Sequence, residues 1–109
     1  MLFMNDFDIE SAAIFAKQVH APNLMRAVAN LERLADWANN NSDGWAFWPK
    51  PCQSAKRLQE AIQRFQKGYR EGEAVDTLED IMAESLPNAL RPIRAFLTRQ
   101  GVDHTLIIR

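Results

Sequence analysis

The amino-acid sequence predicts one all-α domain, a compact bundle of about five short helices. Apolar residues return every three or four positions in separate windows, the period of a helix with one buried face. Proline, glycine and asparagine punctuate the gaps between those windows. At 109 residues, 47% hydrophobic and 25% charged, the chain has a globular composition and the length for a single core over residues 1–109.

The first helix is expected over residues 7–20, with Ile9, Ala12, Ala13, Ala16 and Val19 on one face and Ile14 pointing away from it. Asp6 and Asp8 stand where carboxylates favour a helix start, and Pro22 ends the segment. A second helix follows over about 23–39, with Leu24, Ala27, Val28, Leu31, Leu34, Ala35 and Ala38 inward and Asn23 as its cap. The run Asn39-Asn40-Asn41-Ser42-Asp43-Gly44 favours a turn and stops it.

Residues 39–53 read as the longest irregular stretch. Two of the three tryptophans lie in it, within Gly44-Trp45-Ala46-Phe47-Trp48-Pro49-Lys50-Pro51. The two prolines forbid a helix through this stretch and bias Trp48 and Lys50 to extended backbone of polyproline character. The third helix then covers about 53–67, with Ala55, Leu58, Ala61, Ile62 and Phe65 inward and Gly68 as its C-cap. A fourth is expected over 73–85 with Val75, Leu78, Ile81 and Met82 inward, broken by Leu86-Pro87-Asn88. A fifth spans 89–100, with Pro92 near its start and Gly101 closing it. The tail Thr105-Leu106-Ile107-Ile108 is apolar, β-branched and too short for a helix. As a strand it needs a partner, and Met1–Met4 is the candidate for a minor two-strand ribbon at the termini or across a dimer.

Net charge is −1, so no global field draws the chain to DNA or to an anionic membrane. The charges are nonetheless segregated. Residues 44–70 hold six basic groups and one acidic, whereas residues 71–90 hold six acidic groups and no basic one. Lys56, Arg57, Arg64 and Lys67 fall opposite the apolar stripe of the third helix, and Glu73, Asp76, Asp80 and Glu84 do so on the fourth. Each row is either a solvated face or a patch that steers a partner of opposite sign. Nucleic acid is the usual partner of a basic face, but the adjoining acidic block repels phosphate.

Residues for catalysis are sparse. His20 and His104 are the only histidines, and neither belongs to a motif with a nucleophile or metal ligand. His20 closes a helix, where the dipole favours an imidazolium. Cys52 is the only cysteine, so an intramolecular disulfide and a cysteine-based zinc cluster are both excluded. Near a helix start its thiol can be activated, but no base is placed for it. The i,i+4 carboxylate pairs Asp76/Asp80 and Asp80/Glu84 lack any accompanying metal motif, and no glycine-rich phosphate loop occurs. No cofactor is implied. The short apolar N-terminus lacks the basic start of a signal peptide, and no window reaches a membrane span, which leaves a cytoplasmic location as the expectation.

These readings favour binding over chemistry. The expected function is a non-catalytic protein-binding module, a small inhibitor or accessory factor, either monomer or homodimer. Its contact residues would be Trp45, Trp48 and Lys50 in the aromatic stretch, then Lys56, Arg57, Arg64 and Lys67, then Asp76, Asp80 and Glu84. The alternative is a nucleic-acid-associated protein using the basic third helix. In size and charge segregation the chain resembles small phage and mobile-element proteins that bind and block host machinery, although no motif carries the likeness.

The aromatic stretch makes a forecast of its own. A core Trp changed to Ala loses roughly 3–5 kcal/mol, whereas an exposed anchor leaves stability nearly unmoved and weakens binding by about 2 kcal/mol. The expected outcome is a split in which Phe47→Ala lowers the melting temperature sharply while Trp45→Ala or Trp48→Ala does not. Comparable large losses in all three variants would make the stretch a lid on the core.

Overall fold

The computed structural model describes residues 8–41 and 49–109, the side chains of 49–54 excepted. Four α-helices and one 3-10 turn make up the described chain: α1 (Ile9–Val19), α2 (Pro22–Asn40), α3 (Pro49–Arg70), α4 (Val75–Arg99) and the turn His104–Leu106. The all-α expectation therefore holds, with four described helices, three of them long, in place of five short ones. The apolar Met1–Met4 segment and the rings of Trp45, Phe47 and Trp48 lie outside the described residues.

Asp8 caps α1, accepting hydrogen bonds from the Ser11 N–H at 3.2 Å and the Ser11 hydroxyl at 2.6 Å. The hydroxyl, and then the N–H, hold the Asp8 carboxyl below its usual range. A lowered carboxylate stabilises the fold above that range, and the contribution is lost as pH falls through the native value. α1 ends at His20, whose left-handed backbone (φ 53°, ψ 36°) gives its N–H to the Ala16 carbonyl. Ala12 and Ala16 are buried, while Ile14 is 54% exposed on the outer side.

α2 begins one residue earlier than the sequence suggests, and its start corrects the role given to Asn23. The cap position is Ala21, which has no side-chain acceptor, and Pro22 opens the helix. The unpaired N–H groups of Asn23 and Leu24 instead donate to the two carboxylate oxygens of Glu79 on α4, at 3.0 and 3.2 Å. A carboxylate at a helix N-terminus also meets the positive end of the dipole.

α3 corrects the reading of the proline stretch. Pro49 and Pro51 sit in its first turn, where an N–H has no intrahelical acceptor to lose, so both prolines suit a helix start and Lys50 is helical. The helix also runs past Gly68 to Arg70. Its C-terminal glycine is Gly72 (φ 90°), with the Glu73 N–H bonded to the Gly68 carbonyl and the Gly72 N–H to the Tyr69 carbonyl. That pair of bonds is the Schellman closure of a helix end. Gly68 serves packing: a Cβ there would lie 2.7 Å from a Leu78 methyl, so the absent side chain lets α3 and α4 approach.

α4 absorbs the expected fourth and fifth helices. Leu78, Met82, Leu86, Ala89, Leu90, Ile93, Phe96 and Leu97 are buried in one helical stripe that crosses Pro87 and Pro92 without a change of phase. Each proline removes one N–H and so frees the carbonyl four residues back, at Ala83 and Asn88. Both prolines and both of those residues are exposed, where water can hydrate the freed oxygens. Burial of the continuous stripe outweighs the lost hydrogen bonds. Gly101 (φ 76°) then closes α4, with the Val102 N–H bonded to the Leu97 carbonyl.

The tail forms no strand. His104–Leu106 makes a 3-10 turn, with Asp103 accepting from the Thr105 N–H and hydroxyl, and Ile107 and Ile108 turn into the core. The partner that the segment needs is supplied by side chains of α2. Asn30, 0% exposed, accepts from the Arg109 N–H at 2.9 Å and donates to the Arg109 main-chain oxygen at 3.2 Å. Arg33 adds bonds to the Ile107 carbonyl (2.7 Å) and to the Asn30 side-chain oxygen (2.6 Å). The two-way bond through the Asn30 amide does for Arg109 what a neighbouring strand would have done.

The core lies where all four helices meet. α3 packs most extensively on α4 as an antiparallel hairpin, and α2 lies against both. Edge-on aromatic pairs bind the elements across the core: Phe15 with Phe65 and Tyr69, and Trp37 with Phe96.

Two substitutions test the long-range bonds. Asn30→Ala unpairs the tail and opens a small void, and is expected to lower stability by about 2–4 kcal/mol in denaturant titration. Glu79→Ala removes the cap of α2 from a distance and is expected to cost about 1–2 kcal/mol. A loss under about 0.5 kcal/mol in either variant would show that water replaces the bond.

Candidate interaction face

The hairpin of α3 and α4 turns one side to the core and the other to solvent. On α3, Lys56, Arg57, Arg64 and Lys67 are all exposed. On α4, Asp76, Asp80 and Glu84 are exposed on the outward side, while Glu73 precedes the helix in the connecting turn. The structure thus leaves both rows exposed on the hairpin, the basic row on α3 and the acidic row on α4. Lys50 lies in the first turn of α3, with its side chain outside the described residues, as are Trp45 and Trp48.

The rows do not neutralise each other. Among the described residues the single ion pair is Lys67–Glu71, at 4.0 Å with both side chains well exposed, a geometry that contributes little. Between α3 and α4 runs a groove of about 290 Å3 with Ala61, Phe65, Gly68, Leu78 and Met82 beneath it and Arg64, Lys67, Glu71 and Glu73 at its edges, whereas Asp76, Asp80 and Glu84 do not line it. A second hollow of about 230 Å3, sharing Ala61, Arg64 and Ser85, carries the groove on to Arg57, Glu60 and Asn88.

Ile81 lies on this groove and corrects its expected place in the core, being 39% exposed. Stepped at 100° per residue, it falls on the flank of the α4 stripe that faces α3, next to Ser85. At the end of the groove the Leu78 side chain packs against the bare backbone of Gly68 and is buried there. The Ser85 hydroxyl bonds back to the Ile81 carbonyl at 3.0 Å, which keeps it off the groove as a donor.

A shallower hollow of about 480 Å3 lies between α1 and α2, with Ile9, Ala13, Ile14 and Ala35 inside acidic edges at Glu10, Glu32 and Asp36 and one cation, Lys17. Neither His20 nor His104 lines these hollows. His20 is the exposed end of α1, and His104 lies in the C-terminal turn with Nδ1 buried and unbonded. Cys52 is in α3, its side chain outside the described residues. Among the described residues, no three His, Cys, Asp or Glu side chains gather to hold a metal ion. No described helix is long and apolar enough to cross a membrane.

Sequence reasoning finds both charged bands from periodicity alone. It misses Ile81, Ala61 and Gly68 as the apolar line between α3 and α4, because a flank position reads like a core one in a single helix. The discriminating signal is that α3 offers a glycine at the level of Leu78, which locates where the two helices touch. None of the protein-family models, curated proteins or solved structures compared with the chain matches it.

An exposed face tolerates change. Arg64→Glu and Ile81→Ala are each expected to alter stability by less than about 1 kcal/mol, whereas Gly68→Leu is expected to lose about 1–3 kcal/mol by forcing the helices apart. Thermal melts decide this, and a large loss in Arg64→Glu would make the basic band a structural feature of the hairpin.

Proposed function

We propose that this chain is a non-catalytic protein-binding module, a small cytoplasmic inhibitor or accessory factor, whose contact surface is the outer face of the α3–α4 hairpin. One observation carries the reading: an apolar groove with exposed Ile81 runs between α3 and α4, with the charged side chains of Arg64, Lys67, Glu71 and Glu73 at its edges. Apolar floors inside charged rims are how protein interfaces combine affinity with orientation. Both walls are long helices, which hold the contact groups in fixed positions. Trp45, Trp48 and Lys50, which adjoin the start of α3 in sequence, are proposed as further contact residues.

The exposed cations Lys56, Arg57, Arg64 and Lys67 favour a second reading, a nucleic-acid-associated protein. The acidic band beside them argues against a phosphate backbone lying across the same face. The two readings separate on salt and on the groove. Duplex and single-stranded DNA and RNA are expected to bind no more tightly than about 10⁻⁴–10⁻⁶ M at physiological salt. Protein retained from a host extract by the immobilised chain is expected to survive nuclease and to be lost by Ile81→Asp. Tight, strongly salt-dependent nucleic-acid binding that Arg57→Glu with Arg64→Glu abolishes would overturn the protein reading in favour of the other.

A further inference from the structure

The hollow between α1 and α2 has a chemistry of its own, separate from that of the hairpin. Ala13 on α1 and Ala35 on α2 keep its floor low, because a methyl group fills little of the space between two helices. Ile9 continues the apolar lining, and Ile14 adds a large side chain that is 54% exposed. Around this patch stand three exposed carboxylates, Glu10, Glu32 and Asp36, against one cation, Lys17. Among the described residues none of these four charges is held in an ion pair. Arg33, the other cation near Glu32, is engaged elsewhere by its bonds to the Ile107 carbonyl and the Asn30 side chain. Glu32 and Asp36 lie one turn apart on α2, so they form a short row. Among the described residues no three acidic groups converge as metal ligands do. Separate carboxylates along a wall suit separate cations along a partner.

We infer that this hollow is a second docking surface, and that its occupant is a basic amphipathic helix of another protein. The occupant is helical because the site offers it no main-chain hydrogen bonds. The N–H and C=O groups of α1 and α2 are spent within their own helices, so an extended peptide would lie there with its backbone unpaired. A helix brings its backbone bonds with it and needs only side-chain contacts. Apolar residues of the occupant at i, i+3 and i+4 fill the space over Ala13 and Ala35, beside Ile14. Lysines or arginines flanking that stripe meet Glu32 and Asp36 on the α2 wall and Glu10 on the α1 wall. From Ile9 to Lys17 the α1 wall is about 12 Å long at 1.5 Å per residue, room for about two turns of the occupant. A contact this short binds weakly and leans on charge, so an affinity of about 10–100 μM is expected.

Other occupants lack part of this chemistry. A phosphate backbone or an anionic lipid surface meets three carboxylates and one ammonium, and is repelled. A second copy offers the cations Lys56, Arg57, Arg64 and Lys67, but the exposed residues among them on α3 include no large apolar side chain to enter the hollow.

A display library of alanine-rich helices about 18 residues long, randomised over one face and sorted on the full chain, tests the assignment. Enriched sequences are expected to combine net positive charge with apolar residues at i, i+3 or i+4. The strongest, made as a synthetic peptide, is expected to shift the amide resonances of residues 9–17 and 32–39. It is expected to bind about tenfold or more weakly to Ile14→Asp and to Glu32→Lys/Asp36→Lys. Ile81→Asp is expected to leave its affinity within about twofold, which separates this hollow from the hairpin groove. The replaced side chains are exposed, and the resonance map needs no variant, so a poorly folded variant does not stop the test. No enrichment, enrichment of acidic or uncharged helices, resonance shifts elsewhere, or binding untouched by Ile14→Asp would each overturn the inference. A peptide lost through Ile81→Asp alone would overturn it while leaving the hairpin reading in place. Self-association of the chain that Ile14→Asp abolishes would overturn it in favour of a second copy.

Discussion

Everything in this fold is arranged around the continuity of α4. Its buried stripe runs from Leu78 to Leu97, and the helix packs on α3, α2 and the C-terminal turn. Two prolines inside it each remove a backbone hydrogen bond and crowd the carbonyl four residues back, at a cost of about 3 kcal/mol apiece. Eight buried side chains stand against that loss, most of them worth about 1.5–3 kcal/mol when fully removed from water. The comparison is lopsided, and a break at Pro87 would have disconnected Ala89, Leu90 and Ile93 from the phase set by Leu78 and Met82. Because the rod stays whole, Glu79 projects toward α2 while Ile81, two residues on, projects toward α3.

The polar interactions that fix the arrangement all join residues far apart in sequence. Glu79 caps α2 from 55 and 56 residues away, and Asn30 holds Arg109 across 79 residues. In both cases a main-chain group that cannot find a partner in its own segment is satisfied by a side chain from another. Ala21 offers no cap, so the α2 terminus needs a carboxylate. The short tail offers no neighbouring strand, so Ile107 and Arg109 need an amide and a guanidinium. Burial, and then the charge of Arg109, lowers the pKa of the Arg33 guanidinium, which nonetheless keeps its hydrogen bonds to a carbonyl and an amide oxygen.

This pattern explains what the sequence discloses and what it hides. Periodicity discloses α1, α2 and the stripe of α3, because apolar spacing is local information and Leu24, Leu31, Leu58 and Ile62 carry it unambiguously. It also discloses the two charged bands. Proline is the misleading signal, at Pro49 and Pro51 as well as at Pro87 and Pro92, since its effect depends on whether an N–H was needed and whether water reaches the freed carbonyl. The first is decided by position within the helix and the second by tertiary exposure, and neither is visible in a window of residues. Asn23 looks like a cap and is not one, because the helix already opens at Pro22 and leaves Asn23 inside its first turn. Gly68 looks like a terminus and is a contact point, because the glycine at the true terminus, Gly72, lies four residues on.

The hairpin face inherits its character from the same constraint. A helix ended at Pro87 could have tilted to bring its carboxylates toward α3, pairing the acidic band with the basic one inside a single chain. The unbroken rod is instead pinned on one side by Glu79 and on the other by the Gly68–Leu78 contact. Its register against α3 puts Ile81 and Ser85 at the groove and leaves Asp76, Asp80 and Glu84 exposed outside it. The continuity that builds the core thus also leaves an apolar groove with Arg64 and Lys67 on its α3 wall.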